Sequence, residues 1–375
     1  MEKQLYFDIA ATTPMDLSVA EVINKVNIES FGNPSSVHAI GQRSHNIIER
    51  SRLSIANILN CKVSEIIFTS GGSEANNMVL KGVLTKGDHL ITTSYEHPSI
   101  LQLAKQMKND GIDVTFIKPN KNGLINIEDI ELAVKDNTKL ISIMWVNNEL
   151  GTINDIKEIG EIANKHNILF HSDAVQFIGK KKIDLSNTKI NFLSLGAHKF
   201  YGPKGIGILY CENGSTFAPL IDGGGQEKEL RSGTLPTPLC VGIGEAIKKS
   251  ATEMKTTNSI IKSLRNKMFE LLTNGIPDLI VNGDIDNRIE GNLNLLIPGI
   301  DANALINNVP NLAISTGSAC TSGYIERSHV LKSLGLTDEE TSYCFRIGIG
   351  KYNTEEEIET ASNAIINAVN KIKKN

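Results

Sequence analysis

Two charged residues each come shortly after an apolar stretch that has the pattern of a buried strand. Asp173 comes after residues 168–171, and Lys199 comes after residues 190–195. An unpaired charge is costly in such surroundings. A lysine in a dry pocket favours the neutral amine that forms a Schiff base, and a carboxylate can hold a proton on a pyridine nitrogen. A structural Asp–Lys ion pair between two loops is the alternative interpretation.

A glycine-rich turn, Ser70-Gly71-Gly72-Ser73-Glu74, follows an earlier predicted strand and opens a helix. Free backbone N–H groups and the helix dipole at such a turn suit a phosphate, although many such turns serve only as helix caps. A phosphate site, a Schiff-base lysine and a carboxylate for a ring nitrogen together describe pyridoxal 5'-phosphate.

The apolar periodicity alternates between strands and helices along most of the chain. This alternation predicts an α/β fold with a mostly parallel sheet covered by helices on both faces. The predicted strands are 66–69, 89–93, 114–117, 140–146, 168–171, 190–195 and 205–211. The predicted helices are 16–30, 73–84, 98–110, 127–135, 155–166, 255–274 and 354–373. We expect a large cofactor-binding domain at 16–255, a smaller α/β domain at 256–375, and a segment at 1–15 that packs with the small domain.

Composition excludes several classes of protein. The 375 residues include 38 basic and 42 acidic side chains, so the net charge of −4 gives nucleic acid no general attraction. No apolar run reaches the roughly 18–20 residues that cross a bilayer, and the first residues do not resemble a signal peptide. The five cysteines are widely spread without a C-x-x-C pair. We therefore expect a cytoplasmic protein without disulfides, without a metal site and without direct contact to membrane or nucleic acid.

Four segments resemble one family in order and spacing. Residues 194–205, Ser-Leu-Gly-Ala-His-Lys-Phe-Tyr-Gly-Pro-Lys-Gly, resemble the cofactor-lysine segment of the class V aminotransferase superfamily. Residues 6–14, 231–236 and 315–322 resemble its cysteine desulfurase branch. The match runs from residue 5 to about 360, and within the branch it is similar to the NifS/IscS-type group, whose cysteine lies on a long mobile loop.

The resemblance implies pyridoxal-phosphate fold type I, a homodimer, and conversion of L-cysteine to L-alanine plus an enzyme-bound persulfide. It also implies a role for each matching residue. Lys199 carries the cofactor and moves protons, and His97 stacks on the ring and assists proton transfer. Asp173 pairs with the ring nitrogen and Gln176 with the ring hydroxyl oxygen. The phosphate ligands are Gly72, Ser73, His198 and, from the other subunit, Thr234. Arg346 and Asn148 bind the substrate carboxylate.

Cys320 is the predicted sulfur acceptor within the enzyme. Its surroundings, Gly317-Ser-Ala-Cys-Thr-Ser-Gly323, are small and polar, which is a poor place for a packed core thiol. A thiolate there can attack the substrate sulfur and keep it as a persulfide. We expect the other cysteines to be small buried hydrophobic residues, namely Cys61, Cys211, Cys240 and Cys344.

Some positions and functions stay open at this point. Gly196 stands where many relatives have a serine that contacts the cofactor phosphate. We expect the run Lys180-Lys181-Lys182 to be a solvated surface. The alternatives are a selenocysteine lyase, another class V enzyme such as an aminotransferase, and an idle scaffold. The sulfur would pass to an acceptor protein for iron–sulfur assembly, tRNA thiolation or DNA phosphorothioation.

Overall fold

The computed structural model describes residues 4–316 and 327–374. The strands in this part of the chain are β1 (Leu5–Tyr6), β2 (Ile66–Thr69), β3 (His89–Thr93), β4 (Asp113–Ile117), β5 (Thr138–Ser142), β6 (Leu169–Asp173), β7 (Phe192–Gly196), β8 (Gly207–Cys211), β9 (Ile280–Val281), β10 (Asn292–Leu296), β11 (Leu312–Ala313) and β12 (Cys344–Gly348). The α-helices are α1 (Leu17–Glu29), α2 (Ala39–Leu59), α3 (Gly72–Val83), α4 (Pro98–Asn109), α5 (Ile127–Ala133), α6 (Ile156–Lys165), α7 (Thr237–Gly275), α8 (Ala302–Asn307), α9 (His329–Ser333), α10 (Asp338–Ser342) and α11 (Glu355–Lys373).

The largest sheet among the described residues has seven strands in the order β2-β8-β7-β6-β5-β3-β4. All of its pairings are parallel except those of β8, which runs antiparallel to both β2 and β7. Thr69 and Gly196 both pair with Gly207, so the carboxyl ends of β2 and β7 lie at the same edge of the sheet. Ligands in open α/β sheets bind at this edge.

The helices that flank the sheet follow their sequence signals closely. In α6, Asp155 caps the amino end by accepting a hydrogen bond from the Glu158 N–H. Its buried residues Ile156, Ile159 and Ile162 recur at helical spacing, so one face packs inward while the opposite face stays polar. In α11, Thr354 and Glu357 form a capping box, as a start near residue 354 predicted.

Helix α7 is much longer than predicted, because it begins at Thr237 rather than near residue 255. The two glycines in its first half weaken the helical signal in the sequence. They are needed for close packing: a Cβ at Gly244 would lie 2.1 Å from the Ser51 hydroxyl of α2, and one at Gly242 would lie 2.6 Å from Ile23 of α1. The helix therefore runs without interruption through the predicted domain boundary at residue 255.

A second hydrophobic cluster forms around residues from the last third of the chain. Its strands β9, β10 and β12 form a three-stranded antiparallel sheet, and α11 packs against α7 and α8. Among the described residues, Phe7 is the one buried member of this cluster that precedes residue 261, and β1 pairs in parallel with β11. This arrangement agrees with a small domain that includes the amino-terminal segment, although the division at 1–15, 16–255 and 256–375 stays a prediction.

The predicted α/β class with a mostly parallel, helix-covered sheet is confirmed by the sheet topology. Across residues 4–316 and 327–374, no helix combines the length and apolar character needed to cross a membrane.

Candidate active site

A single cavity lies at the carboxyl ends of the strands β2, β6 and β7. It is lined by residues from the turns after these strands, from α3 and α4, and from the amino-terminal segment. Most of the residues that the sequence predicted lie in it, and its main polar lining residues are Ser73, Asn76, His97, Ser99, Asn148, Glu149, Asp173, Gln176, His198, Lys199, His329 and Arg346. The cavity thus assembles residues that are far apart in the chain, from Ala10 to Arg346.

Lys199 lies on the short turn Ala197–Lys199 that follows β7. Its Nζ donates hydrogen bonds to the carbonyl oxygens of Ala10 and Ala11, each at 2.7 Å. These carbonyls belong to the amino-terminal segment, which therefore forms one side of the cavity. The contacts hold the amine at the cavity wall rather than letting it extend into solvent.

Asp173 is the last residue of β6 and is 6% exposed. Its Oδ1 accepts from the Val175 N–H at 2.9 Å, and its Oδ2 accepts from Asn76 Nδ2 at 2.8 Å. Because each of its two oxygens accepts a hydrogen bond, the carboxylate is held in one orientation. Two neutral donors thus hold this buried carboxylate in place.

His97 caps the amino end of α4, where its Nδ1 accepts from the Ser99 N–H at 3.2 Å. An Nδ1 that accepts a hydrogen bond leaves the proton of the neutral ring on Nε2. Burial lowers the pKa of His97, with opposing contributions from the charges of Asp173 and Lys199. The ring is therefore neutral near pH 7. Ser99 Oγ also accepts from Asn76 Nδ2 at 2.9 Å, which links His97 indirectly to Asp173.

The turn between β2 and α3 approaches Val175 closely. A Cβ at Gly72 would lie 2.5 Å from Val175 Cγ2, so only glycine fits there without movement. Within the described chain, no side chain caps the amino end of α3. His198 faces the same cavity, and its Nδ1 lies 3.1 Å from Thr12 Oγ1. Burial and the nearby positive charge of Lys199 lower the pKa of His198 to about 4, so this ring is also neutral at pH 7.

Arg346 lies in β12 and is 2% exposed. Its guanidinium donates to Asp8 Oδ1 at 2.8 Å and to the Asn148 carbonyl at 2.9 Å. Within the described residues, Arg346 Nε and Asn148 Oδ1 are buried without a hydrogen-bond partner. Unpaired buried donors and acceptors are costly, so this side of the cavity is suited to a polar ligand.

Several residues of the site were not assigned from the sequence. Asn76 lies one helical turn after Gly72, which is the spacing that could have indicated it. Glu96 and Glu149 follow strands directly beside His97 and Asn148. Both are buried, and burial is the main cause that raises their pKa values, to about 8 for Glu96. His329 has no metal-ligand spacing in the sequence. Its Nε2 lies 2.8 Å from the Glu96 carbonyl oxygen. Because a carbonyl only accepts, Nε2 donates this hydrogen bond.

The structure places nine of the eleven predicted site residues in this cavity. Thr234 is exposed and does not line it, and Cys320 lies outside the described residues. The prediction that residues 180–182 form a solvated surface is wrong for Lys180. Lys182 is exposed, Lys181 pairs with Glu290 at 2.5 Å, and Lys180 is partly buried against Gln176. The run follows Gly179, where the backbone turns, and charge density alone does not reveal which side chain then points inward.

The residues present fit pyridoxal 5'-phosphate. The cavity offers a lysine amine and an oriented carboxylate, and it has a glycine turn at an uncapped helix start, where a Cβ would fill the available space. A separate pair of unsatisfied polar atoms, on Arg346 and Asn148, is suited to a carboxylate ligand. These are the groups that the ring, the phosphate and an amino acid substrate require.

Comparisons with known proteins agree with this geometry. The aminotransferase class-V family model matches residues 5–360. The chain is 40% identical over 376 residues to the cysteine desulfurase IscS of Rickettsia bellii, covering 98% of this chain and 92% of that protein. A solved NifS-like protein superposes with a TM-score of 0.92 at 33% identity, covering 98% of this chain and 99% of the other. The solved structure of SspA in complex with cysteine has a TM-score of 0.83 at 38% identity, covering 93% and 100%. The resemblance and the fold type predicted from the motifs are thereby confirmed, and the chain belongs to the class V aminotransferase family.

Proposed function

We propose that this protein is a pyridoxal-phosphate-dependent cysteine desulfurase that converts L-cysteine to L-alanine and keeps the sulfur as a persulfide on Cys320. The observation that carries the proposal is the convergence of Lys199, Asp173 and Arg346 on one cavity. The full-length similarity to cysteine desulfurases supports the same activity. It favours desulfuration over a selenocysteine lyase or another class V reaction.

The cofactor would be held on all sides by residues of the cavity. Lys199 would be bonded to its carbonyl carbon, Asp173 would hold the ring nitrogen and Gln176 the ring hydroxyl oxygen. The phosphate would be bound by Gly72, Ser73, His198 and the Thr234 of a second subunit. When bound, pyridoxal phosphate supplies an electron sink for the pair left when the substrate Cα–H bond breaks.

Asp173 and His97 would lie beside the cofactor ring, where one would supply a negative charge and the other would transfer protons. The Asp173 carboxylate is fixed by the Asn76 amide and the Val175 N–H, so its orientation in the cavity is set before a ligand binds. His97 is neutral near pH 7 because burial lowers its pKa, and its Nε2 carries the proton. A neutral ring can stack on the cofactor and pass a proton. The Lys199 amine, held at the Ala10 and Ala11 carbonyls, would move protons at the substrate α-carbon.

Arg346 and Asn148 would bind the substrate carboxylate. Asp8 and the Asn148 carbonyl fix the guanidinium plane, while Arg346 Nε stays unpaired among the described groups. A planar guanidinium offers paired donors that match a carboxylate, which a lysine ammonium does not. The similar solved structure of SspA contains cysteine, which supports L-cysteine as the substrate.

Cys320 would receive the sulfur. Its thiolate attacks the substrate sulfur and forms an S–S bond, while the carbon–sulfur bond of the substrate breaks and the carbon takes up a proton. L-cysteine and an enzyme thiol thus give L-alanine and an enzyme persulfide with no external oxidant. Burial raises the pKa of the thiols of Cys61, Cys211 and Cys344 to about 12, and it also raises that of Cys240. These four are poor nucleophiles at neutral pH, whereas the polar sequence around Cys320 favours a reactive thiol.

A homodimer would complete the site. Large apolar side chains are exposed on the stretch between α1 and α2, including Phe31 at 76% and Val37 at 93%. Pro34 and Ser35 line the same surface cleft as Leu235, the neighbour of exposed Thr234. Covering this surface with a second copy buries the apolar groups and brings Thr234 against the partner.

The persulfide would then pass to an acceptor protein, whose identity decides between iron–sulfur assembly, tRNA thiolation and DNA phosphorothioation. We place this exchange in the cytoplasm, because the described cysteines Cys61, Cys211, Cys240 and Cys344 are unpaired. The slightly negative net charge supports a protein, rather than nucleic acid, as the direct partner.

The first test removes the proposed attachment of the cofactor. Because Lys199 is the proposed cofactor lysine, Lys199→Ala should lose the visible absorbance of the attached cofactor and all alanine production. The matched control is Lys204→Ala, an exposed lysine five positions later. A variant that keeps the wild-type absorbance would contradict the assignment of Lys199.

The second test concerns the sulfur. Cys320→Ser should bind L-cysteine, as seen from a change in the cofactor spectrum, but should form no persulfide detectable by mass spectrometry. The control Cys61→Ser removes a half-buried thiol and should leave persulfide formation intact. Undiminished alanine production by Cys320→Ser would show that another group takes the sulfur.

A further inference from the structure

A second cavity shares Ala10, Gln176 and Lys199 with the active-site cavity. Its other polar lining residues include Lys180, Asn258, Glu290 and Asn292. Glu290 Oε2 and Asn292 Oδ1 are buried without a hydrogen-bond partner among the described residues. The three shared residues therefore have a polar environment on a second side, which the reaction as described above does not use.

Lys180 reaches into this second cavity and contacts Gln176. Its Nζ donates to the Gln176 carbonyl at 2.9 Å and lies 3.2 Å from the side-chain Oε1 of the same residue. The backbone of Lys180 is held by Asn258 of α7, whose Nδ2 donates to the Lys180 carbonyl at 2.5 Å. The lysine is thus fixed at both its backbone and its amine.

The contact with Lys180 determines which end of the Gln176 amide faces the active site. When it is protonated, the Lys180 amine only donates, so it must then meet the oxygen of the amide. The nitrogen then points the other way, and Gln176 Nε2 donates to the Ala10 carbonyl at 2.8 Å. That same carbonyl accepts from Lys199 Nζ at 2.7 Å. Lys180, Gln176, Ala10 and Lys199 therefore form one continuous chain of hydrogen bonds.

We propose that Lys180 is a positioning residue that fixes the amide of Gln176 as a donor toward the cofactor and places a second positive charge beside Lys199. The proposal rests on the proposed role of Gln176 at the ring hydroxyl oxygen. Without Lys180, the amide can rotate and present its oxygen to that group, which replaces a hydrogen bond by a repulsion between acceptors.

The charge of Lys180 acts near neutral pH. Burial, and then the positive charge of Lys199, lower the pKa of Lys180 to about 7, and the negative charge of Glu290 opposes the shift. The other charged or titratable groups around it are His198, whose pKa Lys180 helps to lower, and Lys181, which pairs with Glu290. A protonated Lys180 disfavours a positive charge on the nearby Lys199 nitrogen. The nitrogen therefore loses its proton at a lower pH than it would without Lys180.

The three consecutive lysines provide a matched experiment. Lys180→Met and Lys182→Met are purified with pyridoxal phosphate bound, and the visible spectrum is titrated between pH 6 and pH 10. The midpoint should move upward by about 0.5–1 pH unit in Lys180→Met, because the positive charge that acts on Lys199 is lost. The dissociation constant of the cofactor should rise about 5- to 10-fold, as expected for one hydrogen bond. Lys182 is exposed, and its variant should match wild type in both measurements.

Two outcomes would overturn the proposal. The first is a Lys180→Met protein whose midpoint and cofactor affinity equal those of Lys182→Met. If Lys180→Met does not fold, Lys180→Arg decides, because it keeps the donors and a charge that does not titrate. Its midpoint should lie at or below that of wild type, and a higher midpoint is the second outcome against the proposal. Neither outcome affects the wild-type spectrum or its loss in Lys199→Ala, so failure here is distinct from failure of the proposed function.

Discussion

Asp173 and Arg346 are two buried groups of opposite charge type in the cavity, and the protein holds them differently. Both oxygens of Asp173 accept hydrogen bonds, one from a backbone N–H and one from the Asn76 amide. Arg346 is bonded through its two terminal nitrogens but leaves Nε unpaired among the described groups, next to the unpaired Asn148 Oδ1. The cofactor side is thus organised in advance, whereas the substrate side keeps polar atoms that a ligand must satisfy.

The largest expected effect comes from a substitution on the organised cofactor side of the cavity. Asp173→Asn removes the negative charge, and the new NH₂ group must oppose one of the two donors that now bind the carboxylate. We expect kcat to fall by about 100- to 1000-fold, the loss typical of one preorganised electrostatic contact. The measurement is steady-state alanine formation at saturating cofactor.

Asp184→Asn is the control for this change, because Asp184 is a carboxylate near the surface that accepts from Asn60 at 2.7 Å. It should behave as wild type. If Asp173→Asn kept more than a tenth of the wild-type kcat, the carboxylate would not be the group that matters on this side of the cavity.

The next effect concerns the substrate side. Arg346→Lys keeps the charge but loses the planar pair of donors, so KM for L-cysteine should rise about 10- to 100-fold, with a smaller change in kcat. Cofactor affinity should stay within about two-fold of wild type, since Arg346 is assigned to the substrate alone. Arg43→Lys, at an exposed arginine, is the control. If Arg346→Lys instead lost affinity for the cofactor and kept the wild-type KM for L-cysteine, Arg346 would belong to the cofactor side rather than the substrate side.

Glu96 provides a test of the organised side that is independent of catalysis. Its Oε1 accepts from Thr93 Oγ1 at 2.7 Å and from the Met144 N–H at 3.0 Å. Burial raises its pKa to about 8, opposed by these hydrogen bonds and assisted by the charge of Asp173. The folded protein therefore keeps a proton that the unfolded chain releases near pH 4.3. Between these two pH values the folded state binds more protons, so this group lowers stability as the pH rises toward 8.

Glu96→Gln should remove that contribution, because an amide oxygen can accept both hydrogen bonds and does not ionise. Relative to wild type, the variant should gain on the order of 1–2 kcal/mol of unfolding free energy between pH 6 and pH 8. Denaturant unfolding at the two pH values measures this difference, with Glu128→Gln, at an exposed carboxylate, as the control. Equal pH dependence in wild type and Glu96→Gln would mean that Glu96 is ionised at pH 6.

The strands of the sheet could be predicted from the sequence because they are short, apolar and buried. The bounds of β2 and β3 agree with the prediction at both ends. The prediction for β5 extended to residue 146, but the strand ends at Ser142. Beyond that point the Met144 N–H bonds to the Glu96 carboxyl and the Trp145 N–H to the Asp173 carbonyl. These are tertiary contacts, and local apolar periodicity does not reveal them.

Two further differences have the same origin. Helix α2 was not predicted, because its buried positions include the polar residues Ser44, Ser51 and Arg52, which break the apolar pattern. Arg52 is buried since it pairs with Glu227 from 175 positions away. In the same way, the sequence identified the residues at the strand ends that form the site, but not Lys180, whose partner Gln176 is evident only once the backbone turn is known.

The smallest expected effect concerns Gly196, the position where many relatives have serine. Its backbone is extended, with φ −137°, and an added Cβ would lie 3.5 Å from Val175 and 3.6 Å from the Gly72 nitrogen, which is ordinary contact. Gly196→Ser should therefore fit and add one hydrogen bond to the cofactor phosphate. The dissociation constant of pyridoxal phosphate should fall about 3- to 10-fold in equilibrium dialysis.

Gly72, in the turn between β2 and α3 that faces Gly196, supplies the control. A side chain at Gly72 would meet Val175 Cγ2 at 2.5 Å, so Gly72→Ser should weaken cofactor binding although it introduces the same hydroxyl. Opposite effects of one substitution at two neighbouring glycines would show that the phosphate lies between them. Weaker cofactor binding in both variants would mean that the phosphate side of the cavity has no room for a further polar contact. In that respect it would differ from the Arg346 side, which keeps unpaired polar atoms.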